Sequence, residues 1–372
     1  MANVIPTVDG IPVVKLSSPE QPSLANVDTT PLETARDAVG PAPSRWWLRT
    51  SAVWWRSLQY VGMTLHFLAP ERPPSPSFTK TIPSTISKTR GQFTLLFYTP
   101  KGYETAVKNG TKFPAVVNFH GGGFTIGHGT DDARFARFVV EECSAVFVSV
   151  DYRLSPENPF PVAVEDAADA LLYVIRSGPD LHIDPFKLAT SGFSAGANLA
   201  ITSTLCLSDH LNALRKSGTQ VPDHRVRAVA SWYPVTDYTQ PRAAKRAASV
   251  RPDQTLPETL TSLFDASYLQ PSTLQLANPY LSPSKATDEQ LAAAIPQTVI
   301  LYTCEYDMLM REGEELANRL GRAPIDKDVR YKMVKGVPHA WDKSPDPTKP
   351  AEFSEDLYRE CCGHLREAFE RG

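Results

Sequence analysis

Six short apolar runs spaced through the chain constrain its fold more than any other feature. They are Pro114–His120, Ala145–Tyr152, Leu188–Gly192, Arg227–Tyr233, Thr298–Cys304 and Val329–Lys335. Except in Val329–Lys335, they do not alternate apolar and polar residues as a strand with one wet face would. Helical stretches at about 132–143, 162–176, 195–207 and 310–320 separate most of them. Continuously apolar strands linked by helices form a mainly parallel sheet covered on both faces. The expected fold class is therefore α/β, a twisted, mainly parallel sheet flanked by helices. Residues 79–99 read as two antiparallel strands ahead of it, and Phe353, Leu357, Cys361, Leu365 and Phe369 mark a closing helix at four-residue spacing.

Three stretches depart from this rhythm. The first 44 residues are rich in Pro, Ser, Thr and Ala without a period, and read as an arm or loose cover. In residues 45–69, Trp47, Trp54, Leu58, Val61, Leu65 and Leu68 share one helical face, with Arg49 and Arg56 roughly opposite. Three arginines and a histidine make this a poor bilayer-spanning segment. Two readings compete for its stripe: contact with a membrane surface, which suits Trp and Arg, or packing against the protein itself. Packing is the expectation. Asp237 to about Ala294 shows no sheet strand and lies between two of them, so it reads as an insertion at one sheet end. The expected division is an N-terminal arm and cap helix over 1–77 and a main sheet domain over 78–372, with a cap insertion at about 237–294.

Bulk composition narrows the partners. With 38 basic and 41 acidic side chains the net charge is −3, which gives no basis for nucleic-acid binding. Cys143, Cys206, Cys304, Cys361 and Cys362 are scattered, odd in number and without metal-ligand spacing. They read as reduced thiols. Met1 to Gly10 has no basic start followed by an apolar stretch, so the expected location is the cytoplasm. The sequence carries no signal of oligomeric state.

The chemistry concentrates at four turns. Gly192-Phe193-Ser194-Ala195-Gly196 sits between an apolar strand and a helix of small residues. That is the setting of a nucleophile elbow, where a serine rides a strained turn and its neighbours must be tiny. The helix behind Ser194 offers free N–H groups and a positive dipole end to a developing oxyanion. Asn118-Phe-His120-Gly121-Gly122-Gly123-Phe124 follows the strand from Pro114. Its glycines let backbone N–H groups approach a substrate oxygen, so Gly122, Gly123 and Ala195 are the expected oxyanion donors and His120 orients the loop. The loop fits neither the dinucleotide fingerprint nor the phosphate-binding loop.

A serine nucleophile of this kind is followed in the chain by a carboxylate and then a histidine. Glu305-Tyr306-Asp307 follows the strand Thr298–Cys304, and His339 follows Val329–Lys335. Of His210, His224, His339 and His364, only His339 has the right order and a loop setting. Imidazole is the side chain that titrates nearest neutral pH, as a base here must. Asp307 is the preferred acid, with Glu305 its rival.

Taken together, these segments resemble the hormone-sensitive-lipase-like carboxylesterases, the α/β-hydrolase fold-3 group. The resemblance spans about residues 90–345. It includes Asp151–Glu157, Pro159–Pro161, Val164–Asp166, Tyr233–Asp237 and Asp307–Gly313. It implies an α/β-hydrolase fold with a helical cap and a carboxylesterase activity. Phe193 stands where the family usually has Asp, and Ala197 where Gly is common. Phe124, Phe193, Trp232 and Trp341 are candidate pocket walls, with a core role the alternative for each. Asp166 reads as a buried structural acid beside Arg153.

The expected reaction is two-step acyl transfer on a small or medium hydrophobic ester, such as an acetylated metabolite, with no metal or organic cofactor. Two rivals stand beside it. One is a lyase or dehydratase on the same scaffold, and the other is a non-catalytic ligand receptor.

Overall fold

The computed structural model describes residues 43–371, together with the backbone of an upstream antiparallel pairing of Thr7–Val8 with Ile11–Pro12. The rest of the arm expected over the first 44 residues lies outside the described residues.

One eight-stranded sheet organises the chain. Its strands in chain order are β1 (Phe78–Pro83), β2 (Gln92–Tyr98), β3 (Phe113–Phe119), β4 (Val146–Asp151), β5 (Ile183–Phe193), β6 (Val226–Trp232), β7 (Thr298–Cys304) and β8 (Asp328–Val334). Across the sheet they lie in the order β8-β7-β6-β5-β3-β4-β2-β1. β3 to β8 are parallel, while β2 runs antiparallel to both β1 and β4. Each of the six apolar runs is a strand of the parallel part, and Thr298–Cys304 matches to the residue.

Helices α3 (Ala133–Glu142), α4 (Val162–Ser177), α5 (Ala195–Lys216), α9 (Met310–Leu320) and α10 (Ser354–Glu370) cover the two faces. The short helix α2 (Tyr103–Lys108) had no counterpart among the predicted elements. One apolar layer joins the sheet to α4 and α5, and the other joins it to α3 and α10. Strands sealed on both sides have no use for polar alternation, which explains the unbroken apolar runs of β3 to β7, whereas the edge strand β8 is only half-buried and carries Arg330 and Lys332 between its apolar residues.

The ends of three central strands carry an aromatic ladder. Register places Phe193 of β5 beside Trp232 of β6, and Trp232 beside Tyr302 of β7. Side chains paired this way point to one face, so their rings stack, with centroids 5.5 Å and then 4.1 Å apart. Phe135 of α3 and Tyr358 of α10 close on Trp232 edge-on, at 72° and 87°. Such pairs add about 0.5–1.5 kcal/mol each beyond the area they bury.

The interval from Asp237 to Ala294 contains no strand and carries α6 (Arg242–Ala247), α7 (Glu258–Tyr268) and α8 (Asp288–Ala294). The buried Asn198 amide of α5 donates to the carbonyls of Val235 and Leu281, at 2.8 and 2.9 Å. It thereby ties the chain entering the interval, and Leu281 within it, to the helix behind Ser194. Glu312 of α9 fastens the same region from the other side, accepting from the Thr236 N–H and pairing with Lys245 of α6.

The helix predicted over residues 45–69 exists as α1 (Arg45–Leu68), but its packing face is reversed. Trp47, Trp54, Leu58, Val61, Leu65 and Leu68 are exposed, whereas Leu48, Ala52, Met63 and His66 are buried. Polar anchors set this orientation. Arg56 turns inward and donates to the carbonyls of Thr125 and Ser155, while Arg134 donates to those of His66 and Ala69. Charge-assisted bonds to buried carbonyls outweigh a modest gain in apolar contact.

All five cysteines are free and buried. Among the described residues no helix is long and apolar enough to cross a membrane, and no cluster of side chains has a metal-binding arrangement.

Candidate active site

The sheet delivers Ser194, Asp307 and His339 from the ends of three strands. β5 ends at Phe193 and α5 begins at Ala195, leaving Ser194 alone on the turn with φ 56° and ψ −116°. Such a backbone costs about 1–3 kcal/mol and persists only where its surroundings enforce it. Close approach of the flanking segments does so here. A methyl group on Gly192 would meet the Gly196 carbonyl, and one on Gly196 would meet the Phe119 carbonyl of β3. The small residues at those positions are therefore required by backbone contact.

Asp307 follows β7, and its Oδ2 lies 2.5 Å from His339 Nδ1. The same carboxylate accepts the Leu309 N–H through Oδ1 at 3.0 Å. His339 Nε2 lies 2.8 Å from Ser194 Oγ. Asp307 and His339 are buried, and a Tyr233 ring stands edge-on to the imidazole at 4.8 Å. Glu305, the rival acid, points elsewhere: it accepts the Gly336 N–H at 2.7 Å and braces the loop that carries His339.

Beside this relay, the glycine loop turns between β3 and α3. Among the described residues, neither the Gly122 nor the Gly123 N–H is used on a protein acceptor; Gly122 enters the turn through its carbonyl, which accepts from Thr125 and Ile126. The Ala195 N–H opens α5 and has no carbonyl one helical turn before it. His120 is buried, stacks on Tyr152 at 4.3 Å and places Nδ1 2.7 Å from the Gly121 carbonyl. Tyr152 returns a bond to the His120 carbonyl at 2.9 Å. This is an orienting role for His120, and burial lowers the pKa of its imidazole.

The aromatic candidates separate into two sets. Phe193 and Trp232 belong to the buried ladder between sheet, α3 and α10. Phe124 is stacked on Tyr268 of α7 at 3.8 Å, and Trp341 lies 5.8 Å from Tyr233 while its indole N–H donates to the Glu352 carbonyl. Phe264 of α7, which carried no motif, lies directly over the Gly123 α-carbon. Asp166 is fully buried and holds Arg153 through both oxygens at 2.6 and 2.9 Å.

A buried polar chain runs behind the histidine loop. Lys343 pairs with Asp132 at 2.9 Å and with Asp342 at 3.1 Å. Asp342 accepts the hydroxyls of Tyr233 and Tyr358, both at 2.5 Å. Asp132 accepts the Asn118 amide at 2.7 Å, and Asn118 in turn accepts from Ser191 at 2.8 Å. Burial alone would raise the Asp342 carboxyl, but Lys343 and the two hydroxyls hold it below its ordinary range. The two carboxylates likewise lift the Lys343 ammonium well above its usual value despite its burial. Nothing in the sequence pattern marks Lys343, because single charges carry no period.

A strained serine on a strand-to-helix turn, backed by a buried imidazole and carboxylate, on this sheet order defines the α/β-hydrolase class. A family model described as alpha/beta hydrolase fold matches residues 116–343. The chain belongs to that family, in its hormone-sensitive-lipase-like group, and is an enzyme of the carboxylesterase type.

An arylesterase of Saccharolobus solfataricus is 30% identical over 230 residues, covering 62% of this chain and 69% of that protein. The carboxylic ester hydrolase LipN of Mycobacterium tuberculosis is 31% identical over 245 residues, covering 65% and 59%. A hyperthermophilic esterase from the archaeon Pyrobaculum calidifontis superposes with a TM-score of 0.66 at 26% identity, over 86% of this chain and 93% of its own.

Proposed function

We propose that the enzyme hydrolyses small or medium hydrophobic carboxylic esters, including acetyl esters of metabolites, with Ser194 as nucleophile, His339 as base and Asp307 as its orienting acid. The relay of Ser194 Oγ, His339 Nε2, His339 Nδ1 and Asp307 Oδ2, with links of 2.8 and 2.5 Å, carries this reading. Ser194 Oγ attacks the ester carbonyl carbon and its proton passes to His339 Nε2. The tetrahedral oxyanion accepts from the Gly122, Gly123 and Ala195 N–H groups. Collapse expels the alcohol, which takes the proton from His339, and leaves an acyl-serine. Water then attacks the acyl carbon while His339 accepts a proton from it. The second collapse returns that proton to Ser194 and releases the acid. Asp307 fixes the imidazole tautomer and stabilises its cation.

Apolar walls support the hydrophobic substrate class. Phe264 and the stacked pair of Phe124 and Tyr268 bring rings to the glycine loop, and Trp341 contributes beside Tyr233. Phe193 and Trp232, buried in the layer against α3 and α10, present no surface to a substrate and leave the walls to the other aromatic side chains. In this reading α1 and the 237–294 interval form a cap over a catalytic domain that starts at residue 78. Ser194→Ala tests the assignment. Turnover of aryl esters by the purified variant should fall by about six orders of magnitude, as for nucleophile removal elsewhere. Unchanged turnover would refute it.

A further inference from the structure

Among the described residues, twelve large apolar side chains are exposed, and nine of them sit on α1: Trp46, Trp47, Val53, Trp54, Leu58, Tyr60, Val61, Leu65 and Leu68. They form one convex band along a helix of 24 residues, about 36 Å long. The polar residues within the band withdraw from it. Thr50, Ser57 and Thr64 turn their hydroxyls back onto the carbonyls of Trp46, Val53 and Tyr60, four residues earlier. The aliphatic hydroxyls within the band are therefore satisfied inside the helix, as side chains must be in a medium that offers no hydrogen bonds.

Charge completes the pattern. From Pro43 to Pro70 there is no Asp or Glu. Arg45 and Arg49 lie four residues apart along one edge of the helix, and Arg72 lies just beyond its end. Arg45, Arg49 and Arg72 are exposed. Tryptophan and tyrosine suit the depth of lipid headgroups, and an arginine edge complements anionic ones.

We propose that α1 docks this face on an anionic lipid bilayer surface, lying in the interface without crossing it. The inner face of the same helix is fastened by Arg56 to the Thr125 carbonyl in the glycine-loop turn, so a docked enzyme keeps its oxyanion loop one helix away from lipid.

The test uses the full chain with vesicles of phosphatidylcholine alone or with about 30% phosphatidylserine. The chain should sediment with the phosphatidylserine vesicles, and its tryptophan emission should shift to the blue. The variant carrying Trp47→Ser, Trp54→Ser and Val61→Ser, all at exposed positions, should bind at least about tenfold more weakly, with its thermal midpoint within about 2 °C of the parent. Phe186→Ser, at an exposed apolar residue away from α1, should bind as the parent does. Absence of binding to either vesicle would overturn the proposal. So would a dimer that the triple variant dissolves, which would assign the face to a second copy. Emission from the free chain showing these tryptophans already shielded from a soluble quencher would equally refute it, by assigning the face to the chain itself.

Discussion

The Lys343 ammonium lies 3.7 Å from the centre of the Phe193 ring, the side chain immediately before the nucleophile. Phe193 stacks on Trp232, so an aromatic ladder supports the ring on one side while a buried cation rests against it. Lys343 is four residues beyond His339 and also bridges Asp132 and Asp342. A position where the family usually places an acid has therefore become the aromatic face of a buried ammonium. The two carboxylates that Lys343 requires come from elsewhere, at Asp132 and Asp342.

Replacing Lys343 with Met keeps the stem and removes the charge, stranding two buried carboxylates. Urea denaturation should show a loss of about 3–5 kcal/mol. Phe193→Leu retains apolar bulk and removes the π face, and should cost about 2 kcal/mol or more. The double variant should cost less than the sum of the two, because the interaction is shared. Additive losses would mean that the ring and the cation are energetically independent.

Gly123 and Gly122 should respond differently to the same change. Alanine at Gly123 drives a methyl into the Phe264 ring, a side chain that can be shortened. Alanine at Gly122, where φ is 107°, meets the backbone carbonyl of Ile126. Each variant should lower kcat by about 100-fold or more if the donors are displaced. Adding Phe264→Ala should restore part of the activity of Gly123→Ala and none of that of Gly122→Ala. Equal rescue of both would show that the loop, and not its individual N–H groups, controls the rate.

Asp307→Asn separates the two candidate acids. It keeps the shape but favours the wrong imidazole tautomer, so kcat should fall by about 10⁴-fold with KM little changed. Glu305→Gln keeps an acceptor for the Gly336 N–H and should lose less than about tenfold. Steady-state kinetics on a soluble aryl ester checks both, and the reverse ranking would transfer the role to Glu305.

The parallel strands were legible because burial on both faces writes an unbroken apolar run. The relay residues were legible because each sits in a turn after such a strand. Helix α5 was read only to residue 207. It continues to Lys216 on Leu207, Leu211 and Leu214, buried contacts diluted by Ser208, Asp209 and Asn212. The stripe of α1 was visible but its direction was not. Periodicity reveals an apolar face, yet the choice of which face to bury was made by arginine bonds to carbonyls of Thr125, Ser155, His66 and Ala69. Lys343 meets Asp132 across more than two hundred positions, and no local pattern records that meeting.

His66, on the buried side of α1, makes the attachment of this helix sensitive to acid. Burial lowers its pKa from 6.5 to about 4, helped by the nearby Lys343 and Arg134 cations and opposed by the Ser344 carbonyl and Asp342. Its Nδ1 lies 3.1 Å from the Ser344 carbonyl. Because the folded-state value is depressed, the unfolded chain binds more protons between pH 6.5 and 4. The stabilisation is complete above pH 6.5 and drains away as pH falls toward 4, by about 3 kcal/mol in all. Asp131 works in the opposite direction over the same range, since burial and then Asp132 raise its carboxyl to about 7. The total stability curve therefore blurs the effect, and the difference from a His66→Asn variant isolates it. That difference, from urea midpoints, should be constant above pH 7 and should shift against the parent by about 3 kcal/mol by pH 4. A difference that stays flat across the whole range would show that His66 titrates as freely in the folded protein as in the unfolded chain.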